Sequence, residues 1–121
     1  PKNINYNKRL VSLGAESLVD VWNIHIYGKN YENIVGGNGV ADFVNGLSVP
    51  VWVTETGKTG VTQQLEYGQR MWPFLQEKMN RLERIYLYEY GSSAAPEESF
   101  GLHTTTAEQP VSDLYIYLRD N

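Results

Sequence analysis

A chain of 121 residues is long enough for one domain with a real core and too short for two. Its net charge is −4, and its ten Lys and Arg residues are scattered, so no basic patch offers itself to a phosphate backbone and nucleic acid is not expected as a partner. No apolar run approaches the roughly 20 residues that cross a bilayer, so no membrane association is expected, and the lack of cysteine excludes a disulfide framework and thiolate metal sites while leaving the compartment open.

The chain starts at "PKNINYNKRL" with no charged leader ahead of an apolar segment, and is expected to be an interior segment or a processed product. Tyr6, Leu10 and Leu13 stand at i, i+4, i+7 with Gly14 as a C-terminal stop, which predicts a short amphipathic helix over 4–13. "LVDVWNIHIYG" (18–28) reads as a first buried strand, rich in β-branched and aromatic residues and closed by glycine. A flexible "VGGNG" turn precedes a helical stripe of Val40, Phe43, Val44 and Leu47. A second strand, "VPVWVTETG" (49–57), leads to a helix over 62–79 that carries Leu65, Gly68, Trp72, Leu75 and Met79, with Pro73 expected to kink it or start a second helix. The third strand is "LERIYLYEYG" (82–91), and a last stripe of Val111, Leu114, Tyr117 and Leu118 is entered through Pro110 at a first helical position.

The order αβαβαβα makes the class α/β, with crossover helices and parallel strands. Strands starting near 19, 50 and 84 repeat at about the spacing of one βα unit in an eight-unit barrel of roughly 250 residues, so residues 1–121 are read as one partial barrel domain. A doubly wound open sheet is the other parallel architecture, but "GGNG" at 36–39 lacks its phosphate-binding spacing and does not follow a strand directly. Three or four parallel strands cannot close a barrel; two unpaired edges and an apolar inner face would remain, so self-association or association with the missing half-barrel is expected.

Ligands bind at the C-terminal ends of parallel strands, and the polar residues gather there. Alternation puts Trp22, Ile24 and Ile26 on one face of the first strand and Val21, Asn23, His25 and Tyr27 on the other. In the second, Val51, Val53 and Glu55 share a face; in the third, Tyr86, Tyr88 and Tyr90 alternate with Ile85, Leu87 and Glu89. A lone carboxylate at a strand end is ordinarily a solvated or capping group, and a lone histidine ordinarily structural. It is the convergence of His, Tyr and Glu on one rim that suggests chemistry. His103, in "GLHTTT", is read as structural or exposed, no set of His, Asp and Glu has a metal-ligand spacing, and no cofactor is implied.

"DVWNIHIYG", "PVWVTETGKTG" and "IYLYEYG" followed by "ESFGL", in that order and at barrel spacing, resemble the C-terminal portion of a clan A retaining glycoside hydrolase. The resemblance implies strands six to eight of a (β/α)8 barrel and a carbohydrate substrate. It also implies Glu55 as nucleophile, Tyr27 as the residue that orients it, and His25, Asn23 and Tyr88 as substrate-binding groups. Such a hydrolase pairs an ionised carboxylate with a protonated one about 5–5.5 Å away. The clan's acid/base glutamate follows an asparagine, and no Asn-Glu dipeptide occurs in this chain. Neither Glu89 nor the loop residues Glu97 and Glu98 match that position, and the eighth-strand tryptophan that floors the sugar site in many relatives is replaced around Leu87 and Tyr88. The expectation is the nucleophile half of a glycosidase, inactive by itself; the alternatives are a non-catalytic carbohydrate-binding remnant and a self-associating structural half-barrel.

Overall fold

The computed structural model of the chain describes residues 4–28, 31–36, 39–104 and 110–121, for Tyr31 and Glu32 the backbone alone. Gly37 and Asn38 of the expected "VGGNG" turn, and Thr105 and Thr106 of "GLHTTT", lie outside the described residues. In chain order the elements are α1 (Ile4–Ser12), a 3-10 turn (Ala15–Leu18), β1 (Trp22–Tyr27), α2 (Tyr31–Val35), α3 (Val40–Asn45), β2 (Val51–Gly57), α4 (Gln64–Lys78), β3 (Leu82–Leu87), the two-residue strands β4 (Gly91–Ser92) and β5 (His103–Thr104), and α5 (Asp113–Asp120).

The three main strands form one parallel sheet in the order β1-β2-β3. Crossovers of one hand between sequential neighbours put the intervening helices on the same side of the sheet. Trp22, Ile24, Ile26, Val51 and Val53 accordingly share one buried cluster with Val40, Phe43 and Val44 of α3 and Tyr67, Met71 and Leu75 of α4. Trp22 meets Phe43 edge to face at 5.9 Å and donates its indole N–H to Asn7 Oδ1 at 3.1 Å, so its polar edge is satisfied within the core margin.

Several element boundaries depart from the sequence reading. Gly14 ends α1 in the left-handed region at φ +85°, as its position suggested, but a 3-10 turn follows, so β1 starts at Trp22 rather than near 18. The inward stripe of α1 is Ile4, Leu10 and Val11; Tyr6 and Leu13 are 62% and 65% exposed. The stripe of α4 is likewise rotated: Gln64, Tyr67, Gly68, Met71 and Leu75 are buried, while Trp72 lies on the flank toward Leu114 of α5. Pro73 neither stops nor divides α4. It sits on the exposed side, where water can take the carbonyl that its missing N–H leaves free. Pro110 does not open the last helix either, since Ser112 is the N-cap, its hydroxyl accepting from Tyr115 N–H at 3.1 Å.

One departure bears directly on function. Ile24 pairs with Val53 but His25 pairs with Glu55, so Thr54 is an extra residue, a β-bulge in β2. The bulge breaks the alternation that would have kept Glu55 on the face of Val51 and Val53. Thr56 is buried instead, sharing a hydrogen bond of 2.7 Å with the Tyr67 hydroxyl of α4, and Glu55 emerges with His25 and Tyr27 on the side that no helix covers among the described residues. That uncovered face is polar and aromatic, not apolar as expected. Asn23 and Thr54 are hydrogen-bonded to each other across it at 2.5 Å, and Trp52 lies beside Tyr86 with the Arg84 guanidinium 5.3 Å from its ring.

Candidate functional site at the C-terminal rim of the sheet

At the upper end of the uncovered face, β1 and β2 bring three side chains to one point. The Tyr27 hydroxyl donates to Glu55 Oε2 at 2.5 Å, and His25 Nδ1 lies 3.3 Å from the same oxygen. Among the described residues both contacts fall on Oε2 and none on Oε1, so one carboxylate oxygen is held while the other is left to solvent or a ligand. Burial, and then the bond donated to Glu55, push the Tyr27 hydroxyl above the ordinary tyrosine value of 10.0; the neighbouring Tyr88 and Glu89 act in the same direction. Tyr27 therefore stays protonated, and its role toward Glu55 is that of a donor.

The third strand contributes less regularly than its alternating tyrosines suggested. β3 ends at Leu87, the Tyr88–Glu89 peptide is cis, and Tyr90 lies beyond the rim with its carbonyl accepting from His103 N–H. Tyr88 remains at the site because its N–H donates to the Thr56 carbonyl at 2.8 Å, one residue past the ladder. Its ring meets Tyr27 nearly perpendicularly at 6.0 Å. Phe100 completes an aromatic trio, 5.3 Å from Tyr27 and 6.0 Å from Tyr88.

Gly57 explains how so much can crowd the end of β2. A Cβ there would stand 2.6 Å from the Tyr88 carbonyl oxygen and 3.2 Å from Phe100 Cδ1, so only glycine admits both neighbours at this distance.

Of the five residues picked from sequence, Glu55, Tyr27 and His25 meet at one carboxylate oxygen and Tyr88 flanks them. Asn23 stands lower on the face, engaged with Thr54 instead. Phe100 was not singled out, because its contact with β2 spans more than forty residues and follows no period; the paired signal was a glycine at a strand end and an isolated aromatic in a polar loop. Among the described residues, no cluster of three or more His, Cys, Asp or Glu could hold a metal ion, and no helix is long and apolar enough to cross a membrane.

Comparison with family models, with curated proteins and with solved structures yields no match.

Proposed function

We propose that this chain carries the nucleophile half of a retaining O-glycosidase site built on the last strands of a (β/α)8 barrel. The observation that carries the reading is the asymmetric carboxylate: Glu55 is held through Oε2 by a neutral tyrosine and a histidine, with Oε1 unengaged among the described residues. In the reaction, a Glu55 oxygen forms a bond to the anomeric carbon as the bond to the leaving oxygen breaks. A protonated carboxyl on strands outside this chain supplies the leaving group's proton, and the same group then takes a proton from the water that releases the sugar. Tyr27 keeps its proton throughout. The parallel sheet with helices on one side matches the helix-covered outside of a barrel wall, and the edges of β1 and β3, free among the described residues, are where further strands would join, from a complementary half-barrel or a second copy.

The test uses a leaving group that needs no proton. Aryl 2-deoxy-2-fluoroglycosides of dinitrophenol, offered as a panel of common sugars in both anomeric forms, should label the chain slowly at Glu55, because fluorine stalls the covalent intermediate and dinitrophenolate departs unaided. Peptide mass mapping should find the label on Glu55, none in Glu55→Gln, and slower labelling in Tyr27→Phe. A label on Glu89 or another carboxylate, or none with any sugar, overturns the reading.

A further inference from the structure

The aromatic trio at the rim is tied down from below by a residue with no place in the chemistry. Gln64, the first residue of α4, is 1% exposed. Its Nε2 donates to the Gly101 carbonyl at 3.1 Å and reaches the Ser99 carbonyl at 3.4 Å, the carbonyls of the two residues on either side of Phe100. Its Oε1 is buried with no partner among the described residues. An amide buried with an orphan acceptor costs stability that an apolar side chain of the same length would not. What the amide supplies in return is a lock on the loop. Around it, Ser99 N–H and Gly60 N–H bond to the Ala95 and Ser99 carbonyls, and the Ser99 hydroxyl accepts from Gly101 N–H, so both flanks of Phe100 are fixed to the body of the domain. Phe100 in turn fills the space that Gly57 leaves open and presses on Tyr27 from one side while Tyr88 presses from another.

We infer that Phe100, locked by Gln64, is a positioning residue that holds the Tyr27 ring so that its hydroxyl stays on Glu55. The inference rests on the proposed reading only in what the positioned carboxylate is for; the geometry concerns the Tyr27–Glu55 bond itself. A tyrosine ring free to turn about its first side-chain torsion would carry its hydroxyl away from Oε2, and the two ring contacts are what stop that movement.

The test needs no sugar. In the unmodified chain, proton NMR should show cross-relaxation between the Tyr27 and Phe100 rings, and a low-field hydroxyl proton that Tyr27→Phe removes and Glu55→Gln shifts. Phe100→Leu should speed exchange of that proton with water by about fivefold to tenfold, the size expected for losing an edge-to-face ring contact, whereas Phe100→Tyr, which keeps an aromatic ring there, should leave it at the unmodified rate. Gln64→Met should act in the same direction with Phe100 intact. Absence of the ring-to-ring signal in the unmodified chain, or unchanged hydroxyl exchange in a folded Phe100→Leu, overturns the inference whether or not any variant folds poorly. Failure of glycoside labelling with the hydroxyl signals behaving as described would instead sink the glycosidase reading alone.

Discussion

Tyr27 ties the charge of the site to the stability of the domain. Its hydroxyl titrates above the ordinary value because burial and the bond to Glu55 both oppose the phenolate. A folded-state pKa raised above the unfolded one means that the contribution is fully present below pH 10 and is lost as pH rises from there through the folded value. Urea unfolding at pH 8 to 11 should therefore show wild-type stability falling more steeply above pH 10 than that of Tyr27→Phe. Parallel curves would show that the phenol is not coupled to folding. At neutral pH, Tyr27→Phe should cost about 1–2 kcal/mol, since a hydrogen bond to a charged acceptor is removed from a half-buried site. At this scale the meeting of three side chains was legible in the sequence: a carboxylate, a histidine and a tyrosine at neighbouring strand ends converge on one carboxylate oxygen. The face on which Glu55 stands was not legible, because strict alternation assumes a regular ladder and a bulge leaves no compositional mark.

The elements were readable where burial follows period and misread where an end or a flank decides. α3 buries the stripe its spacing predicts, Val40, Phe43, Val44 and then Leu47. In α4 the large residues Leu65 and Trp72 looked like core, yet the face toward the sheet holds Gln64 and Tyr67, polar residues buried because each has hydrogen-bond work to do there. Propensity cannot see that work. The β2 terminus makes the sharpest test at this scale. Gly57→Ala should destabilise by about 1–3 kcal/mol in denaturant unfolding, the usual cost of overpacking, because the added methyl must displace both the Tyr88 carbonyl and the Phe100 ring. Tyr67→Phe, which strands the buried Thr56 hydroxyl, should cost about 1–2 kcal/mol by the same measurement. Near-neutral values would mean that the end of β2 packs more loosely than described.

At the scale of the molecule, the sheet is finished on one face and unfinished at both edges. β1 and β3 each pair on one side only among the described residues, and the uncovered face carries the candidate site. On the helix side, Trp72, Leu114, Tyr117 and Leu118 line a groove of about 380 Å³ between α4 and α5. Parallel edges and apolar grooves of this kind are ordinarily covered. Light scattering at micromolar concentration should thus give a mass of at least two copies, and a cooperatively folded 13.8 kDa monomer at high dilution would contradict the proposed association. On the proposed reading the second carboxylate is not carried by this chain, and purified protein should show no turnover of simple aryl glycosides above background; robust turnover abolished by Glu55→Gln would place both halves of the chemistry in these 121 residues. The repeat of strand and helix was legible because each βα unit has a fixed length. The two unpaired edges were expected for the same reason, whereas the polar character of the uncovered face was not, because it depends on which side of each strand the helices cover.

The bulge at Thr54 has a consequence for how the site tolerates genetic change. Thr54 is an uncounted residue in the ladder, so neither its identity nor its presence sets the face on which Glu55 stands. Replacing it with valine or serine keeps the offset and keeps Glu55 beside Tyr27. Removing it leaves Glu55 directly after Val53 in a regular ladder, Ile24 still opposite Val53 and His25 still opposite Glu55, so the carboxylate stays on the face of His25 and Tyr27 and Thr56 stays buried against Tyr67. A single in-frame codon loss there would remove the bulge without exchanging the two sides of the strand. The length of β2 thus has one residue to spare at this point, and a screen of one-residue deletions along 51–57 would expose position 54 as among the least sensitive to loss as well as to replacement.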